Sequence, residues 1–136
     1  MATFTSDMVS GNQSFKPFPS GAVGVRKGKI TISAAPNAAD VYQMVDVFAG
    51  ETVHDVKLKS SDLDGATSLV WDVGDGSDPD YYIDGSTAGQ TGVGDETDAN
   101  VVPKEYTADD TIDITCQVAP GSDVASGTLE LWIYIS

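Results

Sequence analysis

The chain has 136 residues, of which 40% are hydrophobic and 21% charged, as expected for one globular domain. Its net charge of −14 repels phosphate backbones and excludes nucleic acid as a partner. The single cysteine, Cys116, excludes an internal disulfide, and no apolar run approaches the roughly 20 residues of a membrane helix. Residues 1–15 lack the build of a signal peptide, so we expect synthesis in the cytoplasm and no membrane partner.

Residues 1–20 are predicted to form an extended N-terminal arm. They contain Phe4, Phe15 and Phe18 without a steady hydrophobic period, and two prolines disfavour a helix. Three phenylalanines need a surface on which to be buried. They either cover the edge of the protein's own sheet or contact a neighbouring subunit. Removal of the arm is expected to leave the remaining domain folded and to abolish oligomerisation or attachment.

Residues 21–136 are predicted to form a single β-domain, because hydrophobic residues recur there with period two. The predicted strands are 22–26, 29–33, 40–48, 49–60, 68–73, 111–119 and 128–136. Gly28 separates the first two, and His54 shares the face of Val56 and Leu58 in the fourth. Segment 84–103 is predicted to be a long loop, and no segment shows helical spacing beyond one turn. The pattern indicates an all-β sandwich, either jelly-roll or immunoglobulin-like.

The closing strand has apolar or aromatic side chains on both faces. Its inner face is aliphatic, whereas Trp132 and Tyr134 lie on the opposite face. We therefore expect Trp132 and Tyr134 to be covered by the arm or by a subunit.

Catalytic machinery is not evident in the sequence. His54 is the one histidine and lies in a strand pattern, where a structural role is favoured. Cys116 lies inside an apolar strand, and one histidine with one cysteine cannot form a zinc site. We therefore predict that the protein is not an enzyme and needs no cofactor.

The segment "WDVGDGSDPDYYIDG", residues 71–85, concentrates carboxylates. Its aspartates are Asp72, Asp75, Asp78, Asp80 and Asp84. These oxygens could bind calcium, although the segment lacks the EF-hand pattern. The alternative is a turn in which aspartates accept hydrogen bonds from backbone N–H groups and glycines supply positive φ. The turn is the favoured interpretation, and calcium at these five residues is the alternative.

Charge is distributed unevenly along the chain. Residues 1–60 carry six basic and five acidic groups, a net charge of +1, while residues 61–136 carry one basic and sixteen acidic groups, a net charge of −15. Such a chain could pair head to tail with its own copies or present opposite poles to a partner, but an acidic end that keeps it soluble is the favoured interpretation.

Four segments carry a resemblance to a known group of proteins. The segments are "VYQMVDVFAGETVHDVKLKSSDLD", "LVWDVGDGSDPDYYIDG", "YTADDTIDIT" and "GTLELWIYI". Together they resemble small virion structural proteins of tailed phages over residues 40–136, with "DVGDG…IDG" as the most specific part.

The resemblance implies a non-enzymatic capsid decoration or cement protein with a β-sandwich fold. Its partners would be the major capsid protein and its own copies, as a homotrimer or homodimer, and its location the virion. Phe4, Phe15, Phe18, Trp132 and Tyr134 would supply the subunit and capsid contacts. The alternative is a fibre or adhesin module that binds glycans or a host surface, with or without calcium.

Overall fold

The computed structural model describes residues 2–9, 23–97, 101–122 and 126–136. These residues form two β-sheets packed face to face, which confirms the predicted all-β sandwich. The elements are β1 Thr3–Thr5, β2 Gly24–Ile32, β3 Val41–Val47, β4 Thr52–Ser60, β5 Val70–Gly74, β6 Ile83–Ser86, helix α1 Ala88–Thr91, β7 Gly94–Glu96, β8 Lys104–Glu105, β9 Asp110–Val118 and β10 Gly127–Ile135.

The first sheet has the strand order β1-β3-β9-β5-β6, in which β1 and β3 are parallel and the other pairs antiparallel. The second has the order β2-β10-β4-β7, with β8 paired to another stretch of β4. The inner faces meet in a core whose largest fully buried side chains are Trp71, Tyr82, Met44, Leu58, Leu63, Leu69, Ile112, Ile114, Leu129, Leu131, Ile133 and Ile135. Every second residue of β10 lies in this core, as its alternation predicts.

The predicted break at Gly28 is wrong, because β2 pairs continuously with β10 from Gly24 to Ile32. A Cβ atom on Gly28 would lie 1.9 Å from the carbonyl oxygen of Met44. Glycine is therefore required by the close approach of β2 to β3 and does not interrupt the strand.

The predicted inward position of His54 is also wrong. The register between β4 and β10 shifts at this point, since Tyr134 is opposite Asp55 and Ile135 is opposite Val53. This irregularity places Val53 in the core and leaves His54 half-buried, with its Nε2 2.7 Å from the Ser136 hydroxyl. The prediction of a structural histidine is consistent with this contact.

Segment 84–103 is not the long loop that its composition predicts. It contains most of β6, all of helix α1 and all of β7, which lie at or beside sheet edges where few apolar residues are needed. Helix α1 has four residues, and no helix in the described part of the chain is long and apolar enough to cross a membrane.

Residues 2–9 of the predicted arm are part of the sandwich. Strand β1 pairs with β3, and the Phe4 ring stacks on Tyr42 with a centroid separation of 4.8 Å. Ser6 then donates its hydroxyl to the carbonyl of Met44, and the backbone N–H of Asp7 donates to Lys29 O at 3.1 Å. This segment therefore connects the edge of the first sheet to the edge of the second. Phe15 and Phe18 lie outside the described residues.

Substitution at this connection tests its structural role. Ser6 is fully buried, so Ser6→Ala should lower the free energy of unfolding by about 1–2 kcal/mol through loss of a buried hydrogen bond. Thr5→Ala, at an exposed position of β1, should change it by less than about 0.5 kcal/mol. Chemical denaturation measures both values. Equal, negligible effects would mean that residues 2–9 do not support the fold.

Candidate functional site

The aspartate-rich turn after β5 is organised around Asp75, which is 2% exposed. One carboxylate oxygen accepts hydrogen bonds from the backbone N–H groups of Ser77 and Asp78, each at 3.0 Å. The other accepts from the Lys104 ammonium at 2.6 Å and from the Tyr106 hydroxyl at 2.8 Å. The turn is therefore closed by a lysine from a distant part of the sequence.

Aromatic rings enclose this ion pair. The Lys104 Nζ lies 4.1 Å from the centroid of the Tyr81 ring, and the Tyr82 and Tyr106 hydroxyls are 2.6 Å apart. Tyr82 is buried. Burial alone would raise the pKa of Asp75, but its hydrogen bonds from Lys104 and Tyr106 hold that pKa below its usual range.

The other four aspartates of the segment differ in their surroundings. Asp72 accepts a hydrogen bond from Gly85 N at 2.9 Å, and Asp84 is exposed. A side-chain hydrogen bond between Asp78 and Asp80, together with partial burial and the Asp80 charge, raises the pKa of Asp78. Across the described ranges, no group of three or more histidine, cysteine, aspartate or glutamate side chains is placed to hold a metal ion. Calcium at these five residues stays a prediction, tested below.

Asp113 is buried on the outer side of the first sheet, beneath the same turn. Its register partner on β5 is Gly74, where a Cβ atom would lie 2.1 Å from the carbonyl oxygen of Asp78. The turn therefore folds back over the sheet at this point. Burial, assisted by the negative charges of Asp110 and Asp75, raises the pKa of Asp113 to about 6 despite a hydrogen bond from a threonine hydroxyl.

Asp64 is a second organising carboxylate, and the sequence interpretation missed it. It is 2% exposed. Its carboxylate accepts hydrogen bonds from backbone N–H groups of both the segment after it and the β9–β10 connection. The donors are Ala66, Ser68, Leu69, Gly121 and Ser122, at 2.8–3.2 Å. Burial raises the pKa of Asp64, but these N–H groups lower it to about 2. Nothing in the sequence around Asp64 indicates its partner Gly121, which is 57 residues away.

The outer side of the second sheet carries a basic and aromatic surface, hereafter the lysine face. It consists of Lys27 and Lys29 on β2, Lys57 and Lys59 on β4, and Trp132 and Tyr134 on β10 between them. In the register, Trp132 is opposite both Lys27 and Lys57, and Glu130 is opposite both Lys29 and Lys59. The sequence predicts that Trp132 and Tyr134 share a face, but it does not identify the four lysines around them.

Contacts within the lysine face orient its charged groups. Lys27 Nζ lies 5.6 Å from the centroid of the Trp132 ring, and Lys57 Nζ lies 5.5 Å from that of Tyr134. Lys29 pairs with Glu130 at 3.8 Å. Trp132 is 38% exposed, and beside it an open groove is lined by Lys57, Leu58, Lys59, Gly92, Val93 and Gly94.

The other two basic residues that the structure describes form ion pairs with acidic side chains of the same chain. The Arg26 guanidinium pairs with Glu51, and Lys104 pairs with Asp75. The lysine face is thus where outward-facing positive charge is concentrated on a strongly acidic chain. Such a surface suits contact with an acidic protein surface, with an exposed tryptophan at its centre.

The fold and sequence were compared with those of known proteins. No family model and no curated protein matches the sequence. Among solved structures, the chain is similar to one in the capsid of Ralstonia phage GP4, with a TM-score of 0.82 and 23% identity over 98% of this chain and 96% of that chain. A chain in the capsid asymmetric unit of cyanophage Pam1 gives a TM-score of 0.76 and 21% identity over 91% of this chain and 94% of that chain.

A third similar chain is in the acid-stable capsid of Helicobacter pylori bacteriophage KHP30. Its TM-score is 0.58 and its identity 14%, with 84% of this chain and 88% of that chain covered. The structural neighbours are therefore phage capsid proteins, and this chain has their all-β fold.

The turn provides a matched pair of substitutions. Asp75→Asn leaves Lys104 without its carboxylate, and we expect a loss of about 2–3 kcal/mol of unfolding free energy, because the lysine side chain is 25% exposed and the usual cost for a buried pair is larger. Asp80→Asn, at an exposed position in the same turn, should change it by less than about 0.5 kcal/mol.

Thermal melting of these variants with chelator or with millimolar calcium tests the metal prediction. A calcium ion bound only to the folded state would make the wild-type melting temperature fall with chelator. The lysine-closed turn instead predicts an unchanged temperature and a large difference between the two variants. Similar melting of Asp75→Asn and Asp80→Asn would contradict the role of the ion pair.

Asp113 gives the folded protein a pH dependence of defined sign. Because its folded pKa of about 6 exceeds the ordinary 3.8, its contribution to stability is present below about pH 4 and lost as pH rises through about 6. The loss is about 3 kcal/mol on the usual conversion. We expect Asp113→Asn to increase unfolding free energy at about pH 7.5 and to have little effect near pH 4. Chemical denaturation at the two pH values measures the unfolding free energy of wild type and Asp113→Asn. The exposed Glu105→Gln is the control. An equal effect of Asp113→Asn at the two pH values would contradict the prediction.

Proposed function

We propose that this protein is a non-enzymatic capsid decoration or cement subunit, which binds the major capsid shell of a phage as a homotrimer or homodimer and stabilises it. The observation that carries this proposal is the similarity to a chain of a phage capsid at a TM-score of 0.82, over 98% of this chain and 96% of the other. The similarity extends over the whole sandwich and is not confined to one sheet.

The share of each similar capsid chain that this chain covers also supports the proposal of an accessory subunit. Since 96% and 94% of the two most similar chains described above are covered, each of those chains is about as long as this one. In those capsids a sandwich of this size is thus a chain of its own and is not a domain within a longer chain. A short rigid chain of this kind suits attachment to a shell in many copies.

Multiple copies remove the need for one deep binding pocket, because symmetry multiplies weak contacts into high avidity. The proposed contact residues that the structure describes fall in two places. Trp132 and Tyr134 lie on the lysine face, Phe4 lies at the edge of the first sheet, and Phe15 and Phe18 lie outside the described residues. The acidic remainder of the surface would keep assembled copies soluble.

A glycan-binding or host-surface-binding module is the second candidate function. The observation that favours it is the exposed Trp132 beside an open groove, since a sugar ring stacks on an aromatic side chain. Copy number separates the two functions. Hundreds of copies per particle support a decoration subunit, and a few to a few dozen at a vertex or on spikes support a fibre.

The capsid function is tested with particles assembled with and without this protein. We expect particles that lack it to assemble but to rupture at lower temperature, and added purified protein to restore the wild-type rupture temperature. DNA release, followed with an intercalating dye during heating, measures rupture. Equal rupture temperatures in the presence and absence of the protein would contradict a stabilising role.

A further inference from the structure

The charge of this protein is divided between two surfaces. The lysine face carries four of the seven basic residues of the chain. Its neighbouring acids are Asp7, Asp55, Glu96 and Glu130, so the face is neutral in sum, whereas the remainder of the chain carries the whole net charge of −14. The lysine face is thus where lysines offset the acidic charge of the described surface, which makes it the most favourable place for an acidic group of another molecule to bind.

The carboxylates of Asp78, Asp80 and Asp84, hereafter the acidic turn, lie on the other side of the sandwich. The turn packs against the outer side of the first sheet at Gly74, whereas the lysine face is the outer side of the second sheet. Asp80 and Asp84 are exposed, and Asp78 is half-buried. Neighbouring carboxylates repel each other, and an ammonium group placed between them would relieve that repulsion.

Two complementary surfaces on opposite sides of one rigid chain can meet only between copies. We propose that the lysine face of one copy binds the acidic turn of the next copy, in a head-to-tail contact. Contacts of this type close into rings when the rotation between copies allows it, and a three-membered ring would give a trimer. The inference deepens the homotrimer or homodimer proposed above by naming the contact between copies, and it is tested on the purified chain without a shell.

The lysine face is already organised for such a contact. Lys27 and Lys57 are held against aromatic rings, and Lys57 is also 3.6 Å from Glu96. Binding therefore orders fewer side chains than it would for free lysines, which lowers its entropic cost. Trp132, 38% exposed at the centre of the face, supplies apolar area that a partner copy would cover.

Charge reversal tests the proposal on the purified protein. The face variant is Lys27→Glu with Lys57→Glu, and the turn variant is Asp78→Lys with Asp80→Lys. Each should weaken self-association about tenfold or more, since like charges then oppose each other across the contact. The fourfold variant restores opposite charges and should associate like the wild type. Analytical ultracentrifugation over a concentration series measures the mass in each case.

The exposed Glu105→Lys is the matched control, and it should leave association unchanged. Thermal melting checks that each variant is folded, and Lys27→Gln with Lys57→Gln replaces the face variant if that one does not fold. A monomeric wild type, a face variant that associates normally or a fourfold variant that stays monomeric would each overturn the proposal. The rupture assay above has a separate outcome, so failure of one proposal is distinguishable from failure of the other.

Discussion

Hydrogen bonds from backbone N–H groups to buried carboxylates hold the loops on which both sheets depend. Asp64 joins the segment before β5 to the β9–β10 connection, and Asp75 shapes the turn after β5. Asp40 does the same at the start of β3, where it accepts the N–H groups of Ala2 and Asn37. With 21 acidic and only seven basic residues, ion pairs cannot satisfy most of the carboxylates. Backbone N–H groups are the donors that loops have in excess, so an aspartate-rich chain can use them to fix the conformation of its loops.

Ion pairs with carboxylates also determine which basic side chains are left on the outer surface. Of the six basic residues that the structure describes, Arg26 and Lys104 form ion pairs with Glu51 and Asp75, and the other four are lysines on the outer side of β2 and β4. Because β10 lies between β2 and β4, these lysines surround Trp132 and are not scattered over the surface. The protein thus has an acidic turn on one side and the lysine face on the other. That polarity suits a subunit that acts through its surfaces, as proposed for a component of a capsid.

Strands in which apolar and polar residues alternate regularly could be predicted from the sequence, whereas irregular strands and pairings between distant segments could not. Period two correctly predicts the core positions Ile112, Ile114 and Cys116 of β9, those of β10 and the outward direction of Trp132, but not Val118 at the end of β9, which is 43% exposed. His54 was misplaced because a register irregularity in β4 shifts the alternation, which leaves no mark in the sequence. The composition of the short strands β6 and β7 predicts a loop, because strands at a sheet edge need few apolar residues. Lys104 was not assigned to Asp75, and the lysine face was not recognised, because both depend on pairings between distant segments.

A three-dimensional reconstruction of the phage particle tests the central claim most directly. The account predicts density for this sandwich in many symmetry-related copies bound to the shell, with the lysine face covered by a neighbouring copy. The same reconstruction from particles that lack the protein should show an intact shell without that density. Density confined to a tail or to sparse vertex fibres, with the shell bare, would contradict the account.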